Sequence, residues 1–372
     1  MNKIYFVSVM LLLVFSNYLF AQKNAKKMDQ TGDRYSLSTP CMDQLHLFTA
    51  PNVPAVGPEE EFVPFVSHID STAPENLPGN GLSQHPMLYI GENCNIMFLI
   101  KGGKVVWTYS IGAGPEFDDV WMLSNGNILF SRMKYIAEIT PDKKVVWRYD
   151  CKTAKGSPEH TEVHGCQPIG LDKVIFVVNG LPPKLMVVNI KTGKVEAEHE
   201  LPYKQPADPN GIHGQFRRAR VTAQGTYLVS FLTMNCVVEY DTNFKEIWRY
   251  DILSPWAAIR LKNGNTLITD EKENLTREVN TKGETIWEFN CKTDLPVEYQ
   301  FTSAPQTCTR LINGNTIFAS RGKQGKGPQL IEVTREKKVV WVLQDWTKVG
   351  DATALQVLDD PGIPEIPGQS EH

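Results

Sequence analysis

The sequence has almost no net charge, and it lacks the short motifs of the common nucleotide-binding and hydrolase sites. Lys and Arg total 38 and Asp and Glu total 42 among 372 residues, so the formal net charge is −4. A nucleic-acid-binding protein would carry a basic excess clustered on one face. No Walker loop, dinucleotide fingerprint or nucleophile elbow stands in a strand-to-helix context. We therefore expect no nucleic-acid partner.

The cysteines also lack a functional spacing. There are seven of them, and no two have the C-x-x-C spacing of a structural zinc site. An odd number leaves at least one thiol without an intramolecular partner. The sequence therefore predicts neither a metal nor a cofactor.

Long apolar runs are absent after the N-terminus. Residues 1–22 combine Lys3, an apolar run of about a dozen residues and the small residue Ala21, which is typical of a secretory signal peptide cleaved after Ala21. This run is too short to cross a bilayer comfortably as an anchor. We expect a periplasmic or secreted protein whose mature form does not insert into a membrane.

Turn-forming residues and large rings are abundant, with 27 Gly, 24 Pro and 8 Trp. This composition favours many short strands joined by turns over long helices. One sequence phrase recurs. It consists of an apolar strand, Asn-Gly-Asn, further strands and a final strand that contains Trp. Its clearest copies begin at WMLSNGNILFS (121–131), IRLKNGNTLIT (259–269) and TRLINGNTIFAS (309–320). The copies are about 46 to 50 residues apart, the length of a four-stranded propeller blade.

The repeat predicts six blades. Five complete copies lie between Asp118 and Leu343, and residues 87–109 form a copy that lacks its first strand. Residues 353–360 supply that strand, so both ends of the chain close one blade and remove its exposed edge. A seventh blade would have to come from residues 40–86, which lack the repeat. We predict an all-β, six-bladed β-propeller over 87–360, with a signal peptide (1–22), an irregular N-terminal extension (23–86) and a flexible tail (361–372).

The inner strands of a propeller line its axis, and the loops entering them form a mouth where a site can assemble. The aligned entry positions are Asp118, His164, Phe216 or Arg217, Trp256, Gln306 and Thr353. Two long entry loops of adjacent blades carry His164 and His213, which we expect to face one pocket.

We predict catalytic roles for His164, His213 and Arg217 at this mouth. Histidine suits acid–base chemistry, and the planar guanidinium suits carboxylate, sulfate or phosphate. The predicted ligand-binding residues are Asp118, Arg218, Arg220, Trp256 and Gln306. For each residue the alternative is a structural role in a turn, an ion pair or blade packing. His164, His213 and Asp118 have no short-range metal-ligand spacing, so no metal site is predicted.

The phrase L-x-NGN-x-L followed by W-x-[YF] resembles two groups of exported bacterial propellers. NIKTGKVEAE, NTKGETIWEF and DTNFKEIWRY are similar to the PQQ-type quinoprotein-like repeat. The overall pattern also resembles the bacterial arylsulfotransferases, which are six-bladed periplasmic propellers. That resemblance implies that His164 and His213 are axial histidines and that Arg217 or Arg218 holds a sulfuryl group. Asp118 and Trp256 stand where that family would place further histidines.

The leading functional hypothesis is binding of a small or extended ligand, an anionic carbohydrate or an aromatic compound, at the central mouth. One alternative is an enzyme at the same site, either an arylsulfotransferase-like transferase or a polysaccharide lyase. In a lyase, arginine would neutralise a uronate carboxylate while histidine removes the α proton. The other alternative is a non-catalytic scaffold for a protein partner, because the fold alone does not decide function.

Overall fold

The computed structural model describes residues 39–48, 74–112, 114–151, 161–204, 209–322, 325–370 and 372. The predicted signal peptide and much of the predicted extension lie outside the described residues, so those two predictions stay open. Among the described residues, no helix has the length and apolar character needed to cross a membrane.

Within these described ranges, twenty-four strands form six antiparallel sheets of four strands each. In chain order they are β1 Met87–Gly91, β2 Ile96–Lys101, β3 Lys104–Tyr109, β4 Phe117–Met122, β5 Ile128–Arg132, β6 Tyr135–Ile139, β7 Val145–Asp150, β8 Glu162–Ile169, β9 Lys173–Asn179, β10 Lys184–Asn189, β11 Val195–Glu200, β12 Phe216–Val221, β13 Tyr227–Phe231, β14 Cys236–Tyr240, β15 Glu246–Asp251, β16 Pro255–Arg260, β17 Thr266–Asp270, β18 Leu275–Val279, β19 Thr285–Asn290, β20 Pro305–Arg310, β21 Thr316–Ser320, β22 Leu330–Val333, β23 Val339–Leu343 and β24 Ala352–Val357. The chain is a six-bladed β-propeller, as the repeat predicted.

Each of blades 1 to 5 is a consecutive meander that runs from an inner to an outer strand. These blades are β4–β7, β8–β11, β12–β15, β16–β19 and β20–β23. Blade 6 has the order β24-β1-β2-β3, in which β24 pairs antiparallel with β1. Met87 lies opposite Val357, and the Tyr89 hydroxyl donates to the Gly350 carbonyl at 2.7 Å. The predicted closure of one blade by both chain ends is therefore confirmed.

The Asn-Gly-Asn phrase forms the turn between the first and second strands of a blade. In blade 1, Gly126 has φ +88°, a left-handed conformation that glycine adopts without steric cost. Its N–H donates to the Leu123 carbonyl at 2.9 Å. Asn127 then donates from Nδ2 to Oε1 of Glu138 on the third strand at 2.6 Å. The second Asn of the phrase thus ties the turn to the sheet.

The recurrent tryptophans bind blades to one another. Trp107 Nε1 in blade 6 donates to the Pro141 carbonyl of blade 1 at 2.9 Å. Trp287 in blade 4 donates to the Arg335 carbonyl of blade 5 at 2.9 Å. Each ring buries apolar surface between two sheets and satisfies its one donor, as a buried Trp requires.

Segments from both chain ends pack across one end of the axis. A one-turn helix, α1 (Pro40–Asp43), is followed by a 3-10 turn over Gln44–Leu47. Cys41 Sγ donates to the Met122 carbonyl, at the end of β4, at 3.3 Å. All seven cysteines are free thiols.

The C-terminal tail runs over the same end of the propeller. Glu365 accepts from the Ser124 N–H at 3.2 Å, and its carbonyl accepts from the Gly170 N–H at 2.8 Å. The His372 ring lies 3.9 Å from the Trp121 ring. The tail was expected to be flexible, but its described residues are packed against blades 1 and 2.

Candidate functional site at the central mouth

Six aligned positions near the starts of the inner strands surround the open end of the axis, which we call the mouth. Neighbouring inner strands contact one another around the ring. The six positions are Asp118 on β4, His164 on β8, Arg217 on β12, Trp256 on β16, Gln306 on β20 and Thr353 on β24. All six are buried, so they form a layer beneath any ligand rather than its outer contacts.

The structure brings the two predicted histidines together. The rings of His164 and His213 are 4.8 Å apart and nearly perpendicular. One carboxylate oxygen, Oε2 of Glu162, accepts from His164 Nε2 at 3.0 Å and from His213 Nδ1 at 2.8 Å. The other nitrogen of His164, Nδ1, lies 3.3 Å from Oδ1 of Asp118. Three adjacent blades thereby supply one connected network.

Burial and charge act in opposite directions on this network. Burial and Arg217 lower the pKa of His164, but the charges and hydrogen bonds of Asp118 and Glu162 outweigh them, so that pKa is raised. Burial raises the pKa of Glu162, yet its hydrogen bonds to the two histidines hold that pKa well below the ordinary range. Both shifts favour the carboxylate form of Glu162 and the cationic form of His164.

Glu116 completes this side of the mouth. One of its carboxylate oxygens and one ring nitrogen each of His164 and His213 lie within 4.8 Å of one another. Burial raises the pKa of Glu116 to about 8, and the charges of Asp118 and Glu92 act in the same direction. The two histidines differ in solvent exposure, since the side chain of His164 is 1% exposed and that of His213 is 43% exposed. His213 therefore meets solvent directly.

The predicted arginine cluster divides into two groups. Arg217 stays near the mouth, where its guanidinium lies 4.5 Å from the centre of the Trp256 ring and donates to the His213 carbonyl. Arg218 and Arg220 lie 3.4 and 3.0 Å from the carboxylate of Asp119, which is fully buried. These two arginines are thus committed to an internal ion pair.

A cavity of about 470 Å³ opens beside Glu116. Arg321 Nη1 donates to Glu92 Oε1 at 2.8 Å. With its amide oxygen turned towards Arg321, Gln306 accepts from Nε at 2.7 Å and from Nη2 at 3.1 Å. Asp351 also lines the cavity, and burial raises its pKa to about 7.

Four charged residues of this site were missed by the sequence analysis: Glu92, Glu162, Arg321 and Asp351. Glu162 was detectable, because it lies two residues before His164 and alternate residues of a strand share a face. The other three lie in connections peculiar to blades 5 and 6, where the repeat carries no signal.

Comparison with known proteins identifies the fold. No protein-family model matches the chain, and no curated protein matches it. A solved protein of unknown function from Bacteroides caccae superposes with a TM-score of 0.61 and 24% identity, covering 72% of this chain and 97% of that one. Catalytically inactive virginiamycin B lyase from Staphylococcus aureus with quinupristin gives a TM-score of 0.50 and 13% identity, covering 73% and 89%. A streptogramin B lyase gives 0.50 and 12%, covering 73% and 87%.

At these identities the similarity shows a shared propeller fold. The fold occurs both in lyases and in a protein of unknown function, so it does not determine the activity of this chain. None of these three structures is described as a quinoprotein or a sulfotransferase, and that part of the resemblance stays a prediction.

Proposed function

We propose that the protein binds a polar ligand at the central mouth and that this ligand is a carbohydrate. The observation that carries this proposal is a cavity of about 470 Å³ at the mouth that is lined by Glu116, Arg321 and Asp351. His213, which is 43% exposed, has a ring nitrogen within 4.8 Å of the Glu116 carboxylate. This volume lies within the roughly 300–1,000 Å³ of small-molecule sites. Carboxylates and imidazoles bind sugar hydroxyls by hydrogen bonds, and their fixed positions would give orientation.

The charges at the mouth refine the class of ligand. Arg321 lines the cavity and is 39% exposed. Beyond its pair with Glu92, we expect its guanidinium to contact a carboxylate or sulfate group on a sugar. Trp256 is 8% exposed and covered by Arg217, so it offers no open face for stacking an aromatic compound. The proposal therefore favours a carbohydrate with an anionic substituent over an aromatic ligand.

A second candidate is an enzyme that uses the same residues. Nδ1 of His213 donates a hydrogen bond to Glu162. The other ring nitrogen, Nε2, is therefore the one that would accept a proton from a substrate. In a lyase, His213 would remove the proton α to a uronate carboxylate while Arg321 stabilises the developing charge. The C–O bond to the leaving sugar would then break, and the leaving oxygen would take the proton from the His213 imidazolium. In a sulfotransferase, the same nitrogen would accept the sulfuryl group of an aryl sulfate as the S–O bond to the departing phenolate breaks, and an acceptor hydroxyl would then take the group from the histidine.

The test is a binding and turnover screen with neutral, uronate and sulfated oligosaccharides and with aryl sulfates. We expect a uronate or sulfated oligosaccharide to bind and R321Q to weaken it about 10-fold to 100-fold, the loss of one charge-assisted pair. R249Q is the matched control, because Arg249 pairs with Asp251 on an outer strand.

The screen also separates the alternatives. Formation of unsaturated sugar products, abolished by H213A, would favour the lyase, and sulfate transfer would favour the transferase. If none of the compounds binds, the ligand-binding proposal fails and a scaffold for a protein partner becomes the better hypothesis.

A further inference from the structure

Three potential metal ligands converge at the mouth from separate blades. The ligand atoms of Glu116, His164 and His213 lie within 4.8 Å of one another. Ligand atoms around one divalent ion lie roughly 3 to 4 Å apart, given bond lengths of about 2.0–2.2 Å. Small side-chain rotations would bring the three groups to that spacing.

Both histidines are already oriented by a carboxylate. Asp118 Oδ1 lies 3.3 Å from His164 Nδ1, and Glu162 Oε2 accepts from His213 Nδ1 at 2.8 Å. Metal-binding histidines use this arrangement, in which one nitrogen donates to a carboxylate and the other faces the ion. His213 Nε2 has no hydrogen-bond partner among the described residues. His164 Nε2 donates to Glu162, and binding of an ion would displace this hydrogen bond, while Glu162 keeps its bond to His213.

A buried carboxylate oxygen beside this group lacks a partner. Asp118 is 6% exposed, and its Oδ2 makes no hydrogen bond within the described part of the chain. Buried polar atoms are almost always satisfied by protein, water or an ion. An ion held by His164 would compensate the charge on Asp118.

Acidic side chains also surround this group. Glu116, Asp118 and Glu162 surround the two imidazoles, and the nearby guanidinium of Arg217 is engaged with backbone carbonyls and the Trp256 ring. Two imidazoles and a carboxylate suit zinc, iron or manganese, whereas magnesium and calcium prefer all-oxygen sites.

We propose that Glu116, His164 and His213 bind a divalent transition-metal ion, oriented by Asp118 and Glu162, with open coordination positions towards solvent. The exposed edge of His213 provides the entry path. The inference goes beyond ligand binding and does not depend on it. In the metal-bound form His213 is a ligand, so it cannot also be the base of the lyase candidate.

The experiment uses untagged, chelator-treated full-length protein and Zn²⁺ alone, without an organic ligand. Titration calorimetry is expected to give one Zn²⁺ per chain, bound at least about 100-fold more tightly than Mg²⁺. Co²⁺ is expected to give the visible absorption of a nitrogen- and oxygen-coordinated ion. E116Q and H213A should each weaken Zn²⁺ at least about 100-fold, and D118N about 10-fold to 100-fold as a positioning residue.

The control variant is H199A, on outer strand β11, which should leave Zn²⁺ affinity unchanged. Circular dichroism of each variant verifies the fold. H213A should disturb the fold least, because the His213 side chain is half-exposed. The proposal is overturned if the wild type binds no stoichiometric Zn²⁺, or if E116Q and H213A bind it as the wild type does. Because no sugar is present, this failure is separate from a failure of the ligand screen.

Discussion

The two ends of the propeller axis use similar residue types in opposite ways. At the mouth, Asp118 contacts His164 in a network that reaches solvent through His213. Asp119, the next residue, faces Arg218 and Arg220 in a fully enclosed ion pair that continues to His372. Chain segments cover the second network and leave the first accessible. Similar residue types therefore stabilise the fold in one network and form a candidate site in the other.

The largest effect is expected from D119N. This change leaves two buried guanidinium groups without their counter-charge, which costs about 3–5 kcal/mol. Urea unfolding measures the loss. D251N is the control, because the exposed pair of Asp251 with Arg249 contributes less than about 1 kcal/mol. A loss from D119N as small as that of the control would show that the enclosed network is not structural.

His85 predicts a pH dependence at the closed end. Its ring bridges Glu332 at 3.1 Å and Asp359 at 3.2 Å. Burial lowers the pKa of His85, but hydrogen bonds to both carboxylates outweigh burial and raise it to about 9. A pKa above the unfolded value stabilises the fold fully below about pH 6.5, and this stabilisation is lost as pH rises through 9.

The linked stability is up to about 3 kcal/mol. Unfolding of the wild type and H85N, followed between pH 6 and 10, should give curves that converge at the alkaline end. Parallel curves over this range would contradict the ion-pair role of His85 at the blade closure.

H372A should destabilise the protein by about 1–3 kcal/mol, because it removes a buried ring that packs on Trp121. Burial lowers the pKa of His372 to about 3, so the ring is neutral in the fold. Its stabilising effect is present above about pH 6.5 and falls as pH decreases towards 3. Thermal unfolding at neutral and acidic pH tests both points, while Zn²⁺ affinity should not change.

H213A is expected to have the smallest effect on stability, about 0.5 kcal/mol or less, because the side chain is 43% exposed. It should nevertheless weaken Zn²⁺ binding at least about 100-fold, whereas H372A should lower stability and leave Zn²⁺ affinity unchanged. If H213A instead unfolds the protein, the contrast between a structural end and an accessible end does not hold.

The sequence was sufficient for the fold because the repeat encodes local physics. Each Asn-Gly-Asn turn needs a left-handed glycine, as at Gly126, and each outer Trp needs a neighbouring blade. The same alignment placed Asp118 and His164 on adjacent inner strands. The alignment could not separate Arg217 from Arg218 and Arg220, because their partners depend on the direction in which each side chain points.

The packing of the C-terminal tail could not be predicted from the sequence. Its Pro- and Gly-rich composition is that of a loose segment, whereas Glu365 and His372 are each about 4% exposed or less. Their partners, Ser124 and Trp121, lie far away in the chain and belong to blade 1. Such long-range contacts leave no periodic signal.

The closure of blade 6 has a consequence for biosynthesis. Glu92 at the mouth accepts from Thr353 and Arg321, so an early residue depends on two late ones. β1 has no inner neighbour until β24 has been synthesised. A nascent chain therefore cannot assemble this side of the mouth before β24 has been synthesised, and a product that ends before β24 would lack a closed ring.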